Sequence, residues 1–192
     1  MRLYLVRHGE TEWTRARRHT GRTDVPLTAG GEAEARALGR LLAGVPVGRV
    51  LSSPLRRALV TARLAGFGDR VEVSDALREW DYGEYEGRTT AEIRRERPGW
   101  DLFRDGCPGG EVIGQVAGRA RPLVDKLRAA GEDAMLFGHG HELRVLAVVW
   151  LGAPLEIARH LGLSTGSVSL LGSEHDWPAI LRWNQSSGGN LG

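Results

Sequence analysis

The sequence predicts an α/β fold: a single-domain, three-layer sandwich with a mostly parallel central sheet flanked by helices. Three observations predict it. Short continuous apolar runs, Leu3–Val6 and Ala134–Phe137, read as strands buried on both faces. Ala- and Leu-rich stretches alternate with the strand-like runs, as helices covering both faces of a sheet would. A chain of 192 residues is long enough for one sizeable core. Residues 1–192 are therefore read as one domain, with the polar, Gly-rich end, 186–192, as a flexible tail or a lid.

Leu3–Val6 opens the fold and ends in the polar turn Arg7-His8-Gly9. Thr28 is a short N-cap for a helix reaching Leu42, with Glu32 and Glu34 early and Arg40 late. Arg49–Ser52 is a second strand, and Ser53-Pro54 opens a helix to Leu64 with proline in its first turn. Val71–Val73 is a weak strand. Leu77–Gly87, aromatic, acidic and punctuated by glycine, is an irregular loop. Thr90–Arg97 is a short helix stopped by Pro98-Gly99, and Cys107-Pro108-Gly109-Gly110 is a turn. Val112–Ala130 is a long helix. After the strand Ala134–Phe137 come helices over 142–150 and 154–160, then strands over 167–171 and 179–183.

Composition narrows the function. Apolar residues make up 41% and charged residues 26%, ordinary for a globular protein. The net charge of +2 is too small for a nucleic-acid surface. No apolar run approaches the length of a membrane span. A single cysteine, Cys107, excludes an intrachain disulfide, and a cytoplasmic protein is expected. Among 26 basic residues only Lys126 is a lysine, and arginine offers phosphate a planar fork.

In α/β sheets, ligands bind beyond the carboxyl ends of the strands. Two predicted strands end near a histidine, His8 and His139, and a third leads into the helix bearing Arg56 and Arg57. Parallel strands would bring these groups to one edge. A neutral imidazole nitrogen is a competent nucleophile toward phosphorus. Arg7 beside it can supply a bidentate fork, and Gly9 permits close backbone approach. An isolated Arg-His pair is equally compatible with a strand end on the surface.

The whole pattern says more. Leu5-Val6-Arg7-His8-Gly9-Glu10-Thr11-Glu12-Trp13, Thr20-Gly21, Leu27-Thr28, Ser52-Ser53-Pro54-Leu55-Arg56-Arg57-Ala58, Glu79-Trp80-Asp81-Tyr82-Gly83 and Gly138-His139-Gly140 occur in order. Together they resemble the histidine phosphatase superfamily, which includes the cofactor-dependent phosphoglycerate mutases. The resemblance implies a phosphoglycerate mutase-like fold and a set of roles. His8 would become phosphorylated, and Arg7 and Arg57 would line the phosphate pocket. His139 would donate to the phosphoryl oxygens, and Glu79 would give the leaving oxygen its proton. Thr14, Thr20, Gly21, Tyr82, Gly140 and His141 would contact substrate, although Thr14 stands where mutases usually carry Asn and His141 where they often do. Arg56 would be a solvated helix residue, Glu84 and Glu86 parts of a solvated loop, and His19, His160 and His175 structural or on the surface.

Such a clamp needs no metal, and no cofactor is expected. His139-Gly140-His141-Glu142 lacks the spacing of a helical zinc motif. The short passage from Glu79 to Thr90 leaves no room for the insertion with which mutases grip a second anion, and Thr90 stands at their lysine. The expectation is a phosphomonoester hydrolase acting on small phosphorylated metabolites. The alternatives are a phosphoglycerate mutase and a phosphate-binding module without turnover. A bisphosphate substrate would need further cations, for which Arg22, Arg88 and Arg104 are candidates. Trp100 and Phe103 suit either substrate contact or the core. Related folds are often dimeric, which leaves a homodimer open.

Overall fold

The computed structural model describes residues 1–186, so the predicted tail lies outside the described residues apart from Ser186, which ends the last strand. Six strands form one sheet: β1 (Leu3–Arg7), β2 (Arg49–Ser52), β3 (Val71–Val73), β4 (Ala134–Gly138), β5 (Ser167–Glu174) and β6 (Trp177–Ser186). Their spatial order is β3-β2-β4-β1-β5-β6. The first four are mutually parallel, and β5 and β6 continue the sheet as an antiparallel hairpin beside β1.

Alternation along the strands builds the three layers. Leu3 and Leu5 of β1, with Leu51, Ala134 and Leu136, pack on one face against α6 (Ile113–Ala130) and α7 (Gly140–Leu151). Tyr4 and Val6, with Val50, Met135 and Phe137, pack on the other against α2 (Ala29–Leu41) and α3 (Arg56–Leu64). Both faces are dry, which is why these strands read as unbroken apolar runs. Trp100 and Phe103 belong to the first of these cores.

Several boundaries differ from expectation for local reasons. The Thr28 hydroxyl caps α2 by accepting from the Gly31 amide at 3.0 Å, as its position predicts. α3 begins only at Arg56, because Ser53 and Pro54 form a turn in which the Ser53 hydroxyl faces His139. α7 begins at Gly140, two residues early, because a carboxylate distant in sequence, Glu79, accepts from the amides of His141 and Glu142. Residues 155–160 form a 3-10 helix rather than an α-helix. The described residues also include three short α-helices, α1 (Glu12–Arg15), α4 (Thr90–Glu96) and α5 (Leu102–Asp105), and 3-10 turns at Gly68–Arg70, Asp75–Leu77 and Gly83–Tyr85.

Candidate active site

β2, β4 and β1 are adjacent and parallel, so their carboxyl ends converge. Arg7 lies opposite Gly138 in the register, and Ser52 opposite Phe137. His8 follows β1, Ser53 follows β2 and His139 follows β4. The His8 and His139 ring centres are 5.1 Å apart.

The loop after His8 is fixed by backbone packing. A Cβ on Gly9 would stand 2.2 Å from the Gly31 carbonyl oxygen, so α2 approaches the turn as only glycine allows. The Gly9 amide donates to the Thr61 hydroxyl at 3.1 Å. The Gly9 carbonyl lies 2.7 Å from His8 Nδ1. A carbonyl only accepts, so Nδ1 carries the proton and Nε2 keeps its lone pair. Burial, reinforced by Arg57 and Arg7, holds the His8 imidazole well below the ordinary histidine range. His8 is therefore neutral and presents one basic nitrogen.

The two arginines differ. Arg7 donates through Nη1 to the Leu163 carbonyl, while its Nε is enclosed without a protein acceptor. Its guanidinium lies against Gly140, where a Cβ would come within 3.0 Å of Cζ. Arg57 is fully buried. Its Nε donates to His139 Nδ1 at 3.1 Å, Nη1 to the Thr23 carbonyl, and Nη2 to the Thr20 and Gly21 carbonyls. Of its five N–H groups, one on Nη1 remains. Arg57 thus braces the Thr20–Thr23 loop as well as the histidine. Arg56 is exposed, as expected.

Because Arg57 Nε can only donate, His139 Nδ1 accepts and Nε2 carries the ring proton, directed at the Ser53 hydroxyl 2.8 Å away. Burial and Arg57 keep this imidazole neutral, well below the ordinary range. A phosphoryl oxygen would take that N–H only in exchange for Ser53.

Glu79 is nearly buried and held by three backbone amides. Oε1 accepts from Trp80 at 2.8 Å and Glu142 at 2.9 Å, and Oε2 accepts from His141 at 3.1 Å. Oε1 therefore has both lone pairs engaged, while Oε2 keeps one position for a proton. Arg119 donates to the Glu79 carbonyl and pairs with Glu111, fixing the backbone beneath.

A cavity of about 320 Å3 opens above these groups. Of the predicted residues, Arg7, His8, Thr14, Thr20, Glu79, Tyr82 and His141 line it. Arg57, His139, Gly21 and Gly140 do not, and support it from behind or beside. The Tyr82 hydroxyl meets His141 Nδ1 at 2.6 Å, and burial keeps the phenol well above and the imidazole well below their usual ranges. The Thr14 hydroxyl is spent on the Thr11 cap of α1.

Arg17, Arg18 and His19 line the cavity although no contact was expected of them, and Thr90 joins them from the position of the mutase lysine. His19, expected to be structural or on the surface, is mostly buried and lines the cavity; burial lowers it to about 4, and its Nε2 lies 3.3 Å from the Thr90 hydroxyl. Ser53 was visible in the Ser-Ser-Pro block but had no role assigned. Glu86 is no solvated residue: it accepts from the Gly21 and Thr23 amides and anchors the loop that Arg57 braces. The three proposed cations at the mouth are already paired, Arg22 with Asp81, Arg88 with Glu96 and Arg104 with Asp105. Among the described residues no group of three or more His, Cys, Asp or Glu side chains is arranged to hold a metal ion, and no helix is long and apolar enough to cross a membrane.

The chain is similar to known proteins over most of its length. A family model described as the histidine phosphatase superfamily (branch 1) matches residues 3–186. An acid phosphatase of Mycobacterium tuberculosis is 41% identical over 178 residues, 91% of this chain and 87% of that protein. A probable phosphoglycerate mutase of Photorhabdus laumondii is 30% identical, over 100% of this chain and 94% of its own. The solved mycobacterial glucosyl-3-phosphoglycerate phosphatase, in complex with VO3, superposes with a TM-score of 0.87 at 31% identity, covering 96% of this chain and 99% of that one.

Proposed function

Because the chain belongs to the histidine phosphatase superfamily, we propose that it hydrolyses small phosphomonoesters through a phosphohistidine on His8. The observation that carries this reading is the pairing of a freed His8 Nε2 with the neighbouring Arg7, whose enclosed Nε has no acceptor in the protein. A phosphoryl group carries roughly two negative charges, and its transition state spreads charge over the equatorial oxygens. Arg7 would meet those oxygens directly, and the positive charge of Arg57 would act on them from behind the cavity wall. Each such donor is worth about 2.7–4 kcal/mol in comparable oxyanion sites.

The steps balance without a metal. Nε2 of His8 attacks phosphorus as the bond to the alcohol oxygen breaks, and the Glu79 Oε2 proton goes to that oxygen. The Glu79 carboxylate then takes a proton from water as the water oxygen attacks the phosphohistidine. Phosphate leaves and His8 is restored.

The phosphatase of glucosyl-3-phosphoglycerate among the relatives supports a small phosphorylated metabolite as substrate. The mutase alternative is weaker, because Thr90 rather than a basic residue lines the cavity where a mutase carries lysine. The single buried thiol, Cys107, raised to about 12 by burial, fits the cytoplasm.

The test is phosphate release from p-nitrophenyl phosphate in the presence of a chelator. Wild type should turn over, and His8→Ala should lose at least about 1,000-fold in kcat. Full activity in His8→Ala would remove the proposed nucleophile. Bisphosphate-dependent interconversion of 2- and 3-phosphoglycerate would favour the mutase.

A further inference from the structure

One cation at the cavity has no part in the scheme above. Three arginines line the cavity. Arg7 faces the phosphoryl position. Arg18 donates to the Gly87 carbonyl at 2.6 Å and stands 3.9 Å from Glu92. The Arg17 side chain makes no hydrogen bond or ion pair among the described residues.

Its backbone is unusual as well. Arg17 has φ 55°, in the left-handed region that favours glycine. The Arg18 amide donates to the Trp13 carbonyl at 2.8 Å and the Arg17 amide to Thr14 at 3.1 Å. This pair of bonds closes the carboxyl end of α1, and the left-handed position within it is one that glycine fills most easily. The helix end already has its own cation, since Arg15 pairs with Glu10 and Glu12. Helix termination therefore accounts for the backbone conformation but gives no reason for an arginine side chain.

Position supplies one. Arg17 and Thr90 line the catalytic cavity and also an adjoining groove of about 660 Å3, whose other walls include Ala16, Thr89, Ala91 and Arg94. They stand where the two spaces meet. Arg7 and Arg57 already match the charge of one phosphoryl group. His8 and His141 are held neutral by burial, and Glu79, the one acidic residue lining the cavity, is the proton donor of the scheme above and so brings no charge for Arg17 to balance. Arg17 is thus surplus to a singly phosphorylated, otherwise neutral substrate.

Building on the phosphatase reading, we propose that the substrate is a phosphomonoester bearing a second anionic group, carboxylate or phosphate, which Arg17 binds at the junction of cavity and groove. A charge-assisted contact of this kind orients the ester for attack from His8 and selects against substrates with neutral tails.

The experiment measures kcat/KM for a sugar bisphosphate, 3-phosphoglycerate and a neutral-tailed sugar monophosphate, each relative to p-nitrophenyl phosphate. Wild type, Arg17→Gly, Arg17→Lys and Arg17→Glu are compared. Arg17→Gly removes the cation while easing the left-handed backbone, so folding does not limit the result. The selectivity ratio for at least one doubly anionic substrate should fall about 10- to 100-fold in Arg17→Gly and further in Arg17→Glu, with Arg17→Lys between wild type and glycine. The bisphosphate and phosphoglycerate arms tell a phosphate from a carboxylate. Turnover of p-nitrophenyl phosphate by wild type, with ratios that do not move in any variant, would overturn the Arg17 subsite alone. No phosphate release by wild type from any substrate would overturn the parent reading and this one with it.

Discussion

Arg57, beneath the site, and Arg17, at its mouth, are both arginines yet differ in every bond they make. Arg57 is fully buried and gives four of its five N–H groups to His139, Thr20, Gly21 and Thr23. Arg17 is exposed, unpaired among the described residues and held in a left-handed turn. The same contrast separates floor from rim. On the floor, Glu79 receives three amides, His8 is locked by Gly9, and His139 is held between Arg57 and Ser53. At the rim, Arg18 and Thr89 join the two walls by an isolated bridge, with Thr89 capping α4 and the Arg18 side chain held by a single carbonyl, that of Gly87, 3.9 Å from Glu92. The floor is organised before any ligand arrives, which is how electrostatic catalysis avoids reorganisation during reaction. The rim keeps donors in reserve, and selection among substrates falls to it.

On that division, the largest effects belong to the floor. Glu79→Gln keeps the shape but removes the transferable proton. Turnover of alkyl phosphates, with poor leaving groups, should fall about 100- to 10,000-fold, and that of p-nitrophenyl phosphate far less. Steady-state rates across a series of leaving groups check this. Equal losses on both classes would mean that Glu79 only shapes the site.

A pH experiment probes the floor's burial. His8, His139 and His141 sit well below 6.5 and His19 at about 4, each first through burial. Below pH 6.5 the unfolded chain binds protons at these positions that the folded chain refuses. Stability should therefore fall as pH drops through the window between 6.5 and the folded values, by at most about 1.4 kcal/mol per pH unit for each histidine. Glu142 acts in the opposite direction. Its carboxyl is fully buried with both oxygens unpartnered, and burial raises it well above 4.5, so above that pH the folded chain holds the extra proton. Its contribution declines as pH rises, partly offsetting the histidines between about 4.5 and 6.5. Urea unfolding at pH 7 and pH 5 should show a loss on acidification, steeper in Glu142→Gln. A flat profile in wild type would mean that these rings are solvated. The smallest of the expected effects is at the rim, where the Arg17 substitutions change selectivity by the modest factors already given.

What the sequence disclosed follows the same line. β1 and β4 were legible because strands buried on both faces leave continuous apolar runs, and Thr28 announced α2 by its own chemistry. The hairpin was found but cut short: β5 runs on through Gly172-Ser173-Glu174 and β6 starts at the exposed Trp177 and ends in Asn184-Gln185-Ser186, none of which continues a buried apolar run. α1 and α5, of four residues each, are too short to show a period. The residues touching the reacting group were legible as motif blocks. Glu142 and Arg17 were not, since burial of a carboxyl and isolation of a cation depend on which distant segments pack beside them. The early start of α7 was hidden for the same reason, its cap being Glu79, some 60 positions away.

The central claim is that His8 Nε2 carries the phosphoryl group between substrate and water. The direct measurement is a rapid alkaline quench of wild type during turnover, followed by mass spectrometry of its peptides. The account predicts one acid-labile phosphoryl group on the peptide containing His8, none in His8→Ala, and its accumulation in Glu79→Gln when nitrophenol is the leaving group. Steady hydrolysis with no phosphorylated His8 at any time point, or with the phosphoryl group on another residue, would contradict it.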